Sequence, residues 1–282
     1  MVHIHEVETV FQGAIVKPES SWGVDPGGAG IKLYTCEVSP SVKMEREAKQ
    51  YRGFLAPTSM TDGKEWSEWE LSGDASLVEM PLFIKSIISN AQSDPLSFTM
   101  EHGGIKAVGC TVTGWSVEGN TTEITITANM SGKKAVKVSS VSAGNVPNDT
   151  ALFDPASVKI SLGDIILPKA FSWGIDVSSL WELVYFIGNH EPQNVAHIAM
   201  DGNFNISIAA DDMALGFIEE REQIPLEITG STKGDSPSTF SISAIVSLEE
   251  PDSFSDESGV YAIGLKGKIM NGDGTAVRVV YS

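Results

Sequence analysis

The residues able to do chemistry are few and scattered. Histidines stand at 3, 5, 102, 190 and 197. The run "HIH" puts His3 and His5 on one face of a strand, and with Glu6 or Glu8 they have the donor types of a divalent-metal site. No second cluster supplies the remaining ligands that such a site needs, so the run reads as a solvated terminus. His190, Glu191 and Asp201 have the composition of an acid–base set, yet no GxSxG, HExxH or reactive-cysteine context accompanies them, and ordinary loop polarity accounts for them. The adjacent carboxylates Asp211–Asp212, Glu219–Glu220 and Glu249–Glu250 point apart on any helix or strand, so no pair can share a substrate. "VDPGGAG" (24–30) and "GDG" (272–274) are turn sequences without the spacing of a phosphate cradle. Cys36 and Cys110 lie outside any CxxC; two buried reduced thiols are expected, with a Cys36–Cys110 disulfide as the alternative. The expectation is a protein with no catalytic residues, no metal and no cofactor.

The bulk composition agrees with a binding or building role. The 282 residues are 41% hydrophobic, enough for a real core, and carry 37 acids against 19 bases for a net charge of −18. Neutralising phosphates takes clustered Lys and Arg, so tight nucleic-acid binding is disfavoured. No apolar run is long enough to span a bilayer, and the start "MVHIHEVETVFQGAIV" lacks a signal peptide's pattern, so synthesis and retention in a cytoplasm are expected.

The elements that position these residues are mostly strands. "IKLYTCEVSPSVKMERE" alternates with period two from Ile31. In "KEWSEWELSGD", Trp69 and Leu71 share one face and Glu68, Glu70 and Ser72 the other; Trp66 has the wrong parity, which calls for a turn or bulge before Ser67. From Glu79 the period changes. Met80, Phe83, Ile84, Ile87 and Ile88, with Pro81 in the first turn, predict a short amphipathic helix over 80–90. "LSFTMEHGG", "IKAVGCTVTGWSVEG" and "NTTEITITANMSG" are three strands joined by Gly-rich turns. Residues 133–155 form a Ser/Asn/Pro-rich linker or long loop. Beyond it come strands again, a short helix in "DDMALGFIEERE", and "LWELVYFIG", where strand and helix both remain open. The two halves show a faint internal repeat, each giving a strand with a Gly beside an acid, then a short helix, then several strands. The predicted fold is mainly β (α+β), with modules at 1–135 and 156–282 separated by 136–155, or alternatively one enlarged domain.

The order of "ESSWGVDPGG", "GKEWSEWELSGDASLVEMPLFIKSII", "LSFTMEHGGIKAVGCTVTGWSVEGNTTEITITANMSG", "FSWGIDVSS" and "MDGNFNISIAADDMALGFIEEREQIPLEITG" resembles the tail tube (major tail) proteins of long-tailed phages and related head-tailed viruses. The likeness runs from about residue 15 to 281 and rests on order and spacing. It implies a β-sandwich with short flanking helices, whose sheets join those of neighbouring copies around a channel. It also implies six modules per ring, as a hexamer or as a trimer of two-module chains, with rings stacked into the conduit for genome delivery. Under that reading Glu68, Glu70 and Asp74 face a water-filled lumen that DNA crosses without specific binding, and Tyr51, Arg52, Phe54, Leu55 and Met60, in a loop over 45–63, make the ring-to-ring contact. The implied partners are other copies of the chain and the tape measure, tail terminator and baseplate proteins, with no membrane insertion, in a virion tail made in the host cytoplasm. Two alternatives stay open: another ring component of the same fold, or a carbohydrate-binding β-sandwich in which Trp66, Trp69, Trp115, Trp173 and Trp181 stack on sugars.

Overall fold

The computed structural model describes residues 13–282 apart from 53–54, 58, 85–86, 90–95, 140–141, 148–150, 179, 211–215, 218–222, 251–253, 258 and 273–274. The chain is mainly β. Its first part runs β1 (Ile15–Pro18), β2 (Gly30–Lys32), β3 (Cys36–Lys49), β4 (Ser59–Asp74), α1 (Glu79–Phe83), β5 (Ile87–Ser89), β6 (Ser97–His102), β7 (Ile105–Asn120), β8 (Ile124–Gly132), β9 (Val136–Lys137) and β10 (Gly144–Asn145). The remainder is β11 (Lys159–Leu162), β12 (Ile165–Ile166), β13 (Ala170–Ser178), β14 (Trp181–Val184), β15 (Asn194–His197), β16 (Asp201–Ala209), β17 (Gln223–Ser231), β18 (Thr239–Leu248), β19 (Ser255–Glu257), β20 (Val260–Met270) and β21 (Thr275–Tyr281).

One antiparallel order occurs twice. The first is β1–β6–β7–β8–β4–β3; the second is β11–β17–β18–β20–β16–β13. The turns obey local chemistry. Gly103 and Gly104, at φ of 58° and 78°, make the two-residue connection from β6 to β7, a conformation that side chains rarely tolerate. Gly73 has a different reason: a Cβ there would lie 1.9 Å from the Thr35 carbonyl oxygen, so only glycine lets β4 pass the loop ahead of β3.

A single apolar core runs through both orders and contains Trp69, Leu71, Phe83, Phe98, Trp115, Trp173, Phe204 and Phe240. Trp173 and Phe153 both pack on Phe240, with ring centroids 6.5 and 4.9 Å away. Among the described residues the buried polar side-chain atoms are paired, except the Nδ1 atom of His102. Glu79, 1% exposed, accepts hydrogen bonds from the amides of Tyr34 and Thr35 and from the Thr35 hydroxyl, which fixes the segment leading into β3. Lys17 reaches Glu101 at 3.1 Å, both almost wholly buried. Cys36 and Cys110 are free thiols.

Three expectations need correcting. The helix predicted over 80–90 ends at Phe83. Ile87 and Ile88 instead pair with Arg278 and Val277 of β21, because β-branched residues beside an open strand gain a ladder that an isolated helical turn cannot offer. The loop predicted over 45–63 is mostly strand: β3 continues to Lys49 and β4 begins at Ser59, held by cross-strand partners such as Ala48–Met60 and an Arg46–Asp62 ion pair at 3.1 Å. The irregularity expected before Ser67 is present where Gly63 and Lys64 oppose the single residue Glu45, but it does not bring Trp66 to the Trp69 face: Trp66 stays on the Glu68 face. The region left open between strand and helix, "LWELVYFIG", contributes β14, paired with β15 in a separate two-stranded sheet. Within the expected linker, β9 pairs with β7 and β10 with β2. The "HIH" run lies outside the described residues, as does the predicted helix at 211–222 apart from Gly216 and Phe217.

Candidate functional site: a polar sheet face with open edges

The feature that sets this molecule apart is the join between its two strand orders. Residues Trp115–Asn120 of β7 pair antiparallel with Ser172–Val177 of β13, so β3–β4–β8–β7–β13–β16–β20–β18 is one continuous sheet. Paired residues share a face. The row Glu37–Ser72–Thr127–Ser116–Asp176–Asn203–Lys268–Ser247 crosses all eight strands and is polar at every step. The next row, on the opposite face, begins Val38–Leu71–Ala128–Trp115–Val177 and is apolar.

Glu68, Glu70 and Asp74 all lie on the polar face, with neighbours Ser131, Asn129 and Thr125 on β8. Over the eight strands, short of the irregularity at Glu45, this face carries Glu37, Glu68, Glu70, Asp74, Glu118, Asp176 and Asp201 against Lys43, Lys266 and Lys268. Its electrostatics are local. Partial burial of Glu68 opposes ionisation, but the Trp66 indole N–H at 2.9 Å and the Lys43 ammonium at 3.1 Å hold its carboxyl below the usual range. Asp176 is shifted the other way, lifted by burial and by the nearby charge of Asp201 against an opposing Asn203 hydrogen bond. Burial pushes both thiols up, that of Cys110 most clearly, so neither has the thiolate character of a nucleophile. Among the described residues no three His, Cys, Asp or Glu side chains gather as a metal site.

The edges of this sheet differ. Among the described strands β3 pairs with β4 alone, leaving a 14-residue strand with one open side. At the other end, among the described residues β17 covers β18 as far as Ser247, and the β18–β20 ladder continues beyond it through the Glu249 amide and the Lys266 carbonyl, 2.9 Å apart. Pro40 sits mid-strand in β3. Proline is tolerated in sheets where its missing N–H faces away from a partner, which orients the amides of Val38 and Val42 toward the open side.

Beyond the body of the sheet, β3 and β4 run on as an arm. Tyr51, Arg52, Leu55 and Met60 are exposed there, Leu55 fully so; Phe54 lies outside the described residues. The corresponding connection from β13 to β16 does not project. Its β14–β15 hairpin is tied to the base of the arm by the Glu65 amide on the His190 carbonyl at 2.8 Å and by the His190 ring on the Gly63 carbonyl at 2.7 Å. Between the hairpin and the sheet lies a cleft of about 480 Å³ lined by Trp66, Trp181, Tyr185, Glu45, Lys64 and Glu182. Of the five tryptophans considered for sugar stacking, Trp69, Trp115 and Trp173 are core residues, leaving only Trp66 and Trp181 accessible.

Sequence reasoning found the parity of Glu68, Glu70 and Asp74 but missed the β7–β13 pairing. The only signal for it was the alternation within residues 115–120 and 172–177, which does not name a partner. No protein-family model matches the chain, and no curated protein matches it.

Proposed function

We propose that the chain is a structural subunit of a tail tube of a head-tailed virus. Each strand order is one module. Three copies close into a ring of six modules, and stacked rings form a conduit with the polar face lining its lumen. The observation that carries the reading is the β7–β13 join, in which two like four-stranded sheets already sit edge to edge within one chain. The strand equivalent to β13 in the first module is β3, and its edge is open. A second copy offering the end of its β18 at Leu248 and Glu249 gives an edge at the place equivalent to the β7 edge of the internal join, and a head-to-tail contact of this kind generates a closed ring when its rotation closes. Three eight-stranded sheets give 24 strands, more than the 16 to 18 strands that already enclose an aqueous channel. Acids outnumber bases on the lining face, so a phosphate backbone meets little to hold it. The tape measure, tail terminator and baseplate proteins are the partners this role requires.

The test is assembly. Purified protein viewed by negative-stain microscopy is expected to show rings or hollow rods, and Val38→Pro, which removes an outward amide while keeping apolar bulk, is expected to remain folded yet elute as a monomer. A wild-type chain that stays monomeric at high concentration overturns the proposal. Rings that persist in Val38→Pro refute the β3 edge as the contact.

The Trp66–Trp181–Tyr185 cleft favours a second reading, glycan binding by a monomer. It predicts glycan-dependent quenching of tryptophan fluorescence that Trp181→Ala abolishes; no quenching across a panel of neutral and acidic glycans rules it out.

A further inference from the structure

The arm ends in a segment of unusual charge. Residues 49–60, "KQYRGFLAPTSM", contain Lys49 and Arg52 and no acid, in a chain with 37 acids and 19 bases. Tyr51 is 58% exposed, Met60 61% and Leu55 wholly. Such an end is costly to leave in water.

At the opposite end of the same sheet lies a groove of about 590 Å³ with the complementary character. Asp74 at the end of β4, Glu123 in the β7–β8 turn and Asp154 supply carboxylates, while Ile124 and the half-exposed Leu152 supply apolar wall. Lys233 is the one base in the lining, 3.5 Å from Asp154. Ser59 and Asp74 bracket β4, and fifteen steps of about 3.3 Å place the arm and the groove roughly 50 Å apart. They cannot meet within one chain.

We infer that the groove at Asp74, Glu123, Leu152 and Asp154 is the receptor for the arm end of a second copy of this chain, with Arg52 set among the carboxylates and Leu55 against Leu152. This rests on the ring reading above and adds to it the surface on which the next ring sits. A second copy is the occupant because a basic, apolar end and an acidic, apolar groove lie at opposite ends of one chain, so a single translation along the strands satisfies both and repeats without limit. With strands tilted 35–45° as in closed barrels, that translation corresponds to an axial repeat of about 40 Å. The folded-back β14–β15 hairpin means that only the first module has such an arm, so a ring of three chains offers three arms to three grooves.

The experiment uses full-length chains and separates this contact from ring closure. Copies with Leu55→Cys and one affinity tag are assembled with copies carrying Leu152→Cys and another, then treated with a short bismaleimide. Unlike-tag dimers are expected only when both substitutions are present, and not when Ile166→Cys, an exposed position elsewhere, replaces Leu152→Cys. In parallel, Arg52→Glu and Glu123→Arg are each expected to give single rings and to cut the yield of multi-ring tubes about tenfold or more, with stacking restored when the two are combined. Rings that stack normally in Arg52→Glu without cross-links in the first assay overturn the receptor assignment and leave the ring reading standing. Wild-type chains that form no rings overturn the ring reading and the inference with it.

Discussion

Replacing Trp69 by alanine is expected to lower the free energy of unfolding by about 3–5 kcal/mol, the range for removing a large aromatic from a packed core. Trp69 is 1% exposed, lies opposite Pro40 and Met130 on the flanking strands, and donates its indole N–H to the Ser67 hydroxyl at 3.1 Å. Ser67 in turn donates to the Lys133 carbonyl at 2.7 Å, so truncation opens a cavity and loosens the anchor that ties β4 to the end of β8. Urea unfolding followed by circular dichroism measures it. Trp66→Ala is the comparison, since Trp66 lies on the polar face and its loss is expected to cost under about 1 kcal/mol. Equal losses at the two positions would contradict the assignment of faces on β4, and with it the polar lining.

Replacing Lys17 by methionine is expected to cost a comparable amount, about 3 kcal/mol, because it strips a buried carboxylate of its nearer cationic partner. Lys17 and Glu101 are 3% and 2% exposed, and the remaining contacts of Glu101 are the Ser142 amide and hydroxyl at 2.8 Å and Lys106 at 3.6 Å. Burial works against the charge on Glu101, yet Ser142 and Lys17 hold its pKa below the ordinary value. A carboxylate depressed in the folded state adds stability that is present above its unfolded value, about 4.3, and is lost as the pH falls through the folded value. Wild-type stability is therefore expected to hold at neutral pH and decline only in acid. In Lys17→Met the decline begins at higher pH, and Lys17→Met/Glu101→Gln recovers at least half of the loss at pH 7. Urea midpoints between pH 3 and 7 check both. A single variant that matches wild type across that range would show that the pair contributes nothing.

Period-two alternation was legible wherever one face of a strand is buried. Trp69 and Leu71 inside with Glu68 and Glu70 outside could be placed from spacing alone, because a strand half in the core must alternate. The arm was not legible. Beyond Met44 both of its faces meet solvent, so charged residues at Glu45, Arg46 and Glu47 mimic loop composition while the backbone still forms a ladder. The helix over 80–90 was half legible: Met80, Phe83 and Ile84 are buried as its period requires, but Ile87 and Ile88 had a competing partner in β21, almost 190 residues later.

By itself, then, the order of residues determined the strand-rich class, the sidedness of β4, the turns at paired glycines and the acidic surplus, all of which follow from interactions within a few positions of the chain. The pairing of β7 with β13, the uncovered side of β3, the fold-back of β14–β15 and the separation of arm from groove were decided only in three dimensions. Backbone amides and carbonyls are the same in every residue, so a strand's sequence sets which way its side chains point but leaves open which distant strand completes its hydrogen bonds.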